Sequence, residues 1–406
     1  MQVRLDKRAR IIDEGGQAYP VDLLRDHTLK QIREKYTDEA GELTLEVGEE
    51  VPDDVVTIGG RVMFLRNTGK LCFTSLQDGF TESSNGERLQ VMLSKALVGE
   101  QALAAWKSDV DLGDFVWVEG FVARSRRGEL SVMATEWKMA SKALRPLPTL
   151  HKELGEETRV RRRYADLVAR EEARQMVRVR AAITRAIRTT LDELGFLEIE
   201  TPILQLVHGG AAARPFNTHL NAFDIGMSLR IALELYLKRA MVGGMDRVYE
   251  MGRVFRNEGI DSNHSAEFTM LEAYMSWGNQ FTIAEVIQQI IVRAADALGG
   301  RQIQTEQGVI DLDGQWEWVH VHPELSRRLG REITLDTPVE ELRAIAAEHD
   351  VEIDPAWEAG KIVMELFGEI VEPTLIQPTF VCDYPAIAQP LARPCLLYTS
   401  PSPRDS

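Results

Sequence analysis

The chain has 406 residues, 44% of them apolar and 27% charged, with a formal net charge of −16. That length calls for two or more domains, the composition suits a globular protein, and the acidic balance excludes a protein that simply coats nucleic acid, which would be basic. Cys72, Cys382 and Cys395 are odd in number and scattered, which argues against both a disulfide framework and a zinc site, and no run of about 18 apolar residues suggests a membrane span. With no signal peptide at its start, the chain is expected in the cytoplasm.

Residues 2–14 read as a short helix stopped by Gly15, Gly16 and Pro20. Residues 37–54 are strongly acidic and are expected to form a surface loop, which closes an N-terminal segment of residues 1–54. Short strands follow, at Val56–Phe64, Leu71–Leu76 and Leu89–Leu93, then at Gly113–Val122 and Leu130–Ala134. A helical piece at Ala96–Trp106 separates the third from the fourth. Five strands with a helix in that place give the order of an OB-fold barrel, expected over 55–142, and such barrels bind single-stranded nucleic acid by stacking and by basic residues. Two prolines in Ala143–Pro148 hold a linker extended, and residues 143–170 join the two halves.

Glu171–Leu194 has the period of a long amphipathic helix, with Val177, Ile183, Ile187 and Leu191 on one face and Gly195 at its end. A short strand and Pro202 follow. Gly209 and Gly210 open a small-residue loop in which the backbone can approach a ligand closely. Leu229–Arg239 runs from strand to helix with Glu234 at the junction, where a buried carboxylate needs a partner or a ligand cation. Next comes a hairpin, Arg253–Tyr274, with a long polar loop and an unusual density of chemistry: Arg256, Glu258, His264, Phe268, Glu272 and Tyr274. A guanidinium can clamp a phosphate, and an aromatic ring can stack on a base. Beyond it, Phe281–Leu298 reads as a helix, Ile310–Leu312 with Trp316–Val321 as a hairpin, and Val339–His349 and Trp357–Val371 as helices. His320 and His322 alternate onto one strand face and are expected to be structural.

The hairpin resembles the second signature motif of the class II aminoacyl-tRNA synthetases, and its details resemble the bacterial lysyl branch. The resemblance extends over most of the chain to about Arg393. Gly195–Leu204 with the helix before it looks like the first motif, Gly209–Phe216 like the loop beside the amino-acid pocket, and Gln377–Pro385 like a further active-site strand. The implied fold is α+β: an N-terminal OB barrel, then an antiparallel catalytic sheet flanked by helices over 171–393. The implied reaction is ligation of lysine to tRNA(Lys) through lysyl-adenylate, with ATP as substrate, Mg2+ as cofactor, and a homodimer formed through the first motif. Carried over residue by residue, Arg256 is the catalytic residue and holds the lysine carboxylate and the ATP α-phosphate. Glu258, His264 and Phe268 also bind ATP. Glu272 takes the α-ammonium, while Glu234 and Tyr274 meet the ε-ammonium next to Gly210. Arg66, Phe73, Gln90 and Glu136 read the anticodon.

Three other readings stay open: a related aspartyl or asparaginyl enzyme, against which Glu234 argues; an enzyme that lysylates a protein, whose relatives lack the OB barrel; and a tRNA-binding paralogue without catalysis. Pro394–Ser406 has no core pattern and no counterpart in the family, so a non-native tail is expected on a catalytic domain that lacks its third motif. No metal ligands are identified in the residues present, and the chain as written is expected not to activate lysine.

Overall fold

In the computed structural model, which describes residues 1–148, 154–261 and 263–388, the long first strand shows at once how the N-terminal half is built. β1 (Glu50–Thr68) buries Val56, Ile58, Gly60 and Val62 and leaves the alternate Thr57, Gly59 and Arg61 partly exposed, the period of a strand with one face on a core. Before it come α1 (Gln2–Asp13) and α2 (Leu29–Lys35), the latter capped by Thr28 and Gln31 in a reciprocal pair. After it come β2 (Leu71–Gln77), β3 (Arg88–Ser94), α3 (Lys95–Val98), α4 (Glu100–Asp109), β4 (Phe115–Arg124) and β5 (Leu130–Ser141). The five strands close in the order β1-β2-β3-β5-β4, with β4 returning to β1. Leu76, Val91, Leu93, Val116, Val118 and Val132 fill the interior together with Trp106 of α4 and Leu29 and Ile32 of α2. Buried Lys142 ends this unit's sheet, its Nζ 2.6 Å from carboxylate oxygens of Asp111 and Asp114. Short helices α5 (Glu156–Arg161) and α6 (Arg163–Ala169) follow, and this first unit runs from Met1 to Ala181.

The helix α7 (Glu171–Glu193) leads into the second unit, Ala182–Ser406. There β6 (Leu197–Glu198), β7 (Leu204–Gln205), β8 (Asn217–Leu220) and β9 (Ile225–Leu229) precede α8 (Glu234–Val242). The hairpin is β10 (Arg247–Phe255) and β11 (Glu267–Met275), paired from Arg247↔Met275 to Phe255↔Glu267. Then come α9 (Gln280–Asp296), β12 (Gln302–Thr305), β13 (Gly308–Asp311), β14 (Glu317–His320), α10 (Val321–Leu329), α11 (Val339–Glu348), α12 (Ala359–Ile370) and β15 (Thr379–Cys382). One face of the hairpin (Tyr249, Leu271, Ala273, Met275) packs on Leu191, Phe196 and residues of α9. Its other face (Val248, Val254, Phe268, Met270, Tyr274) packs on Leu233 and Leu237 of α8. Helices α10 to α12 build a core of their own, including Leu325, Leu342, Ile345, Leu366 and Phe367.

The expected fold needs correction on several points. The catalytic half is not one antiparallel sheet: its described strands fall into separate small sheets, ordered β11-β10-β6, β7-β9-β8, β12-β13 and β14-β15. Two of the pairings, β10 with β6 and β14 with β15, are parallel. The N-terminal sheet is no even cylinder of short strands either. β1 has 19 residues and is broken by bulges, and β3 meets β5 in parallel over Gln90–Leu93 alone. The acidic loop ends before Glu50, where β1 begins. The hairpin expected from Ile310 and Trp316 does not form, because β13 pairs back with β12 while β14 reaches forward to β15. His320 and His322 therefore share no strand face: His320 ends β14, and His322 lies on the first turn of α10. Pro390–Arg393 and the tail from Pro394 lie outside the described residues.

Candidate active site

Alternation along the hairpin gathers the chemistry. Phe268, Glu272 and Tyr274 lie at even steps on β11 and so share one face. Arg256 follows β10 and donates its backbone N–H to Ala266 O at 2.9 Å, which sets it beside the start of β11. Its guanidinium lies 5.2 Å from the centre of the Phe268 ring, a cation–π contact, and Nε donates to Ile231 O at 3.4 Å.

Next to this pair stand three groups suited to an amine. Glu272 accepts the Leu233 N–H at 3.0 Å on one oxygen and the Tyr274 hydroxyl at 2.7 Å on the other. Burial, together with the Glu272 carboxylate and the charge of Glu234, pushes the Tyr274 phenol well above its usual range, so the hydroxyl remains a donor. Glu234, in the first turn of α8, is bound by Lys238 one turn on. Gly210 lies against it at φ +88°, where a Cβ would stand 3.0 Å from the Glu234 Cβ and 3.1 Å from that of Ala232. A side chain there would be both strained and crowded.

Glu258 and His264 belong to the loop and not to this cluster. Glu258 is exposed and accepts the Arg214 N–H at 3.3 Å. His264 is exposed, with Nδ1 2.8 Å from a carboxylate oxygen of Asp261.

Beside the cluster, on the same hairpin face, is a buried network that sequence reading missed. Arg230 Nη1 reaches Glu250 Oε1 at 2.6 Å and Thr201 O at 3.0 Å, and its Nε donates to Arg253 O at 2.8 Å. Thr201 donates both its N–H and its hydroxyl to the other Glu250 oxygen. Gly252 leaves room for this arginine, since a Cβ there would fall 2.3 Å from Arg230 Nη2. Arg230 looked like one charge in a strand. The signal was its place directly before Ile231 and Ala232, both buried, where a lone cation demands a partner.

In the first unit, Arg66 pairs directly with Phe73, and Phe73 with Met92. Met92 pairs with Met133, and Met133 with Phe121, which makes one outward row that neighbours Gln90. Arg66 is exposed and Phe73 half-buried on this outer face, away from the interior that holds Cys72 and Leu76. Gln90 donates to Ser131 Oγ at 2.8 Å, and Glu136 lies further along β5 in a salt bridge with Lys138. The methionines went unread because a strand pattern marks them as filler.

Residues 155–401 match the family of class II tRNA synthetases for D, K and N, and residues 56–140 match the OB-fold nucleic acid binding domain. The chain is 52% identical over 396 residues to a lysine–tRNA ligase of Kineococcus radiotolerans, covering 97% of this chain and 77% of the relative. It is 51% identical over 400 residues to lysine–tRNA ligase 1 of Mycobacterium tuberculosis H37Rv, with the same coverage. A lysylphosphatidylglycerol biosynthesis bifunctional protein of Rhodococcus jostii is 39% identical over 401 residues, which are 34% of that protein.

Proposed function

The chain belongs to the class II tRNA synthetases for aspartate, lysine and asparagine, and on that premise we infer that it is a lysine–tRNA ligase. That reaction uses ATP to activate lysine, whose carboxylate attacks the α-phosphorus to give lysyl-adenylate and pyrophosphate. A terminal ribose hydroxyl of tRNA(Lys) then attacks the adenylate. The observation that carries the choice of amino acid is the pair Glu234 and Glu272 around the Tyr274 hydroxyl. Two carboxylates in one pocket suit an amino acid with two ammonium groups and repel aspartate.

The residue roles are part of the proposal. Arg256 holds the reacting carboxylate and α-phosphate and stabilises charge that grows on the phosphate oxygens, without any protein nucleophile. Its contact with Phe268 keeps the guanidinium in place, and Phe268 offers an aromatic face to adenine. Glu258 meets the adenine amino group, and His264, on its exposed loop, meets the outer phosphates. Glu272 takes the α-ammonium, Glu234 exchanges Lys238 for the ε-ammonium, and Gly210 lets the loop close over it. In the first unit, the row from Arg66 and Phe73, with Gln90 and Glu136 near it, supports a reader of unpaired anticodon bases. A homodimer through residues 171–205 is supported by the exposure of Leu197, Ile203 and Leu204. No helix among the described residues is long and apolar enough to cross a membrane.

Magnesium, which the family implies, takes hard oxygen ligands. Near Arg256, the described carboxylates are engaged: Glu272 by Leu233 and Tyr274, Glu234 by Lys238, and Glu258 by Arg214. Each of the three also faces a nitrogen group of lysine or ATP in this reading, so these residues do not fit a magnesium site.

Calorimetric titration with non-hydrolysable lysyl-, aspartyl- and asparaginyl-adenylate analogues tests the reading. The lysyl analogue should bind at least about tenfold more tightly, a difference of roughly 1.4 kcal/mol. Equal binding, or a preference for either of the others, would overturn it.

A further inference from the structure

Parallel pairing of β14 with β15 sets His320 directly opposite Cys382. Asp383, one residue past the strand, turns back at φ +60°. His320 Nδ1 lies 2.6 Å from Asp383 Oδ2 and 3.3 Å from Cys382 Sγ. Imidazole nitrogen, thiol sulfur and carboxylate oxygen all stand within 4.8 Å of one another. Sequence spacing could not show this, because 62 residues separate His320 from Cys382.

Two chemistries use these residue types. A Cys–His–Asp relay needs the thiol on one ring nitrogen and the carboxylate on the other, so that the imidazole can pass a proton between them. Here both approach Nδ1, and one proton there cannot serve both well. Three donor atoms within 4.8 Å of one another suit a cation instead.

We propose that His320, Cys382 and Asp383 form a binding site for a borderline-soft divalent transition metal of the zinc class, with water completing the coordination. Zinc bonds of about 2.0–2.3 Å set tetrahedral donors roughly 3.3–3.7 Å apart. The sulfur–nitrogen distance is already in that range, and the nitrogen–oxygen pair opens by about 1 Å as the metal replaces the proton the two share. A thiolate with an imidazole selects zinc, cobalt or nickel over magnesium or calcium. The His320 side chain is 51% exposed and that of Asp383 25%, which leaves an entry path. Cys382 and Asp383 belong to the segment that resembles a further active-site strand, and the metal site stands on the geometry of the three donor atoms alone.

The test uses the full 406-residue chain, reduced, stripped by chelator and titrated with cobalt(II) as an optical probe. One equivalent should produce a thiolate-to-cobalt charge-transfer band in the near ultraviolet and the strong visible bands of four-coordinate cobalt, and zinc should bleach both. Cys382→Ser should abolish the near-ultraviolet band, while Cys72→Ser and Cys395→Ser keep it. His320→Gln and Asp383→Asn, which leave the thiol in place, should each weaken cobalt binding at least about tenfold with an unchanged circular dichroism spectrum. The proposal falls if the folded wild-type chain gives no such band, if the band survives Cys382→Ser, or if His320→Gln binds cobalt as tightly as wild type.

Discussion

Arg256 and Phe268 meet next to the hairpin loop, so the cation proposed to be catalytic lies against a ring, and among the described residues no carboxylate pairs with it. Its charge remains available for an anionic ligand. Arg256→Ala should therefore weaken binding of the lysyl-adenylate analogue by roughly ten- to a hundredfold, as expected for about 1.5–3 kcal/mol from a charged hydrogen bond. Calorimetry that finds wild-type affinity would remove Arg256 from the site. Tyr274 makes a pH prediction. An acid whose folded pKa is raised adds stability that is fully present below its unfolded value of about 10, and that is lost as pH rises through the folded value. The Tyr274 phenol is raised by burial and by Glu272. Tyr274→Phe should thus cost stability at pH 7–9, and the loss of stability above pH 10 should be shallower than in wild type. Urea denaturation at both pH values measures this, and parallel curves would contradict it.

At the scale of elements, the buried Arg230–Glu250–Thr201 network ties β10 to Thr201 and Arg230 and places Glu250 directly beside Glu272 across the hairpin. Arg230→Met leaves Glu250 buried without its cation and should cost about 3–5 kcal/mol, read from the urea midpoint. A loss under about 1 kcal/mol would mean that water reaches the carboxylate. Such networks mark the limit of what sequence can show. The hairpin that carries Phe268, Glu272 and Tyr274 was legible, because two strand-like runs around a polar loop are local signals. So was α7, whose apolar stripe and terminal Gly195 are also local signals. The partner of Arg230 was not legible, nor was the parallel reach of β14 to β15, because both depend on residues brought together from far along the chain. The break between α3 and α4 at Gly99 and the helix α10, which begins directly after His320, were missed because short helices carry little periodic signal.

For the whole molecule, the two units divide the proposed work, and each can be probed separately. Phe73→Ala should weaken tRNA(Lys) binding by roughly five- to 150-fold, the effect of losing about 1–3 kcal/mol of stacking on one base, and leave affinity for the adenylate analogue unchanged. Loss of both would make Phe73 a residue of the fold. The pairing of β14 with β15 also bears on how the chain acquires its shape. Two strands separated by the whole of α10, α11 and α12 face a large entropic barrier to meeting, and such distant contacts are slow to form. The helices between them share a core that also takes up Val319 of β14 and Val381 of β15. That core can assemble from near neighbours and then present the strand ends to each other, so that the three helices act as a clasp that shortens the search. In pulsed hydrogen exchange during refolding, amides of Leu342–Ala346 and Ile362–Phe367 should gain protection before those of Trp318–His320. On the ribosome, the same order would leave β14 waiting, unpaired, until some sixty further residues had emerged.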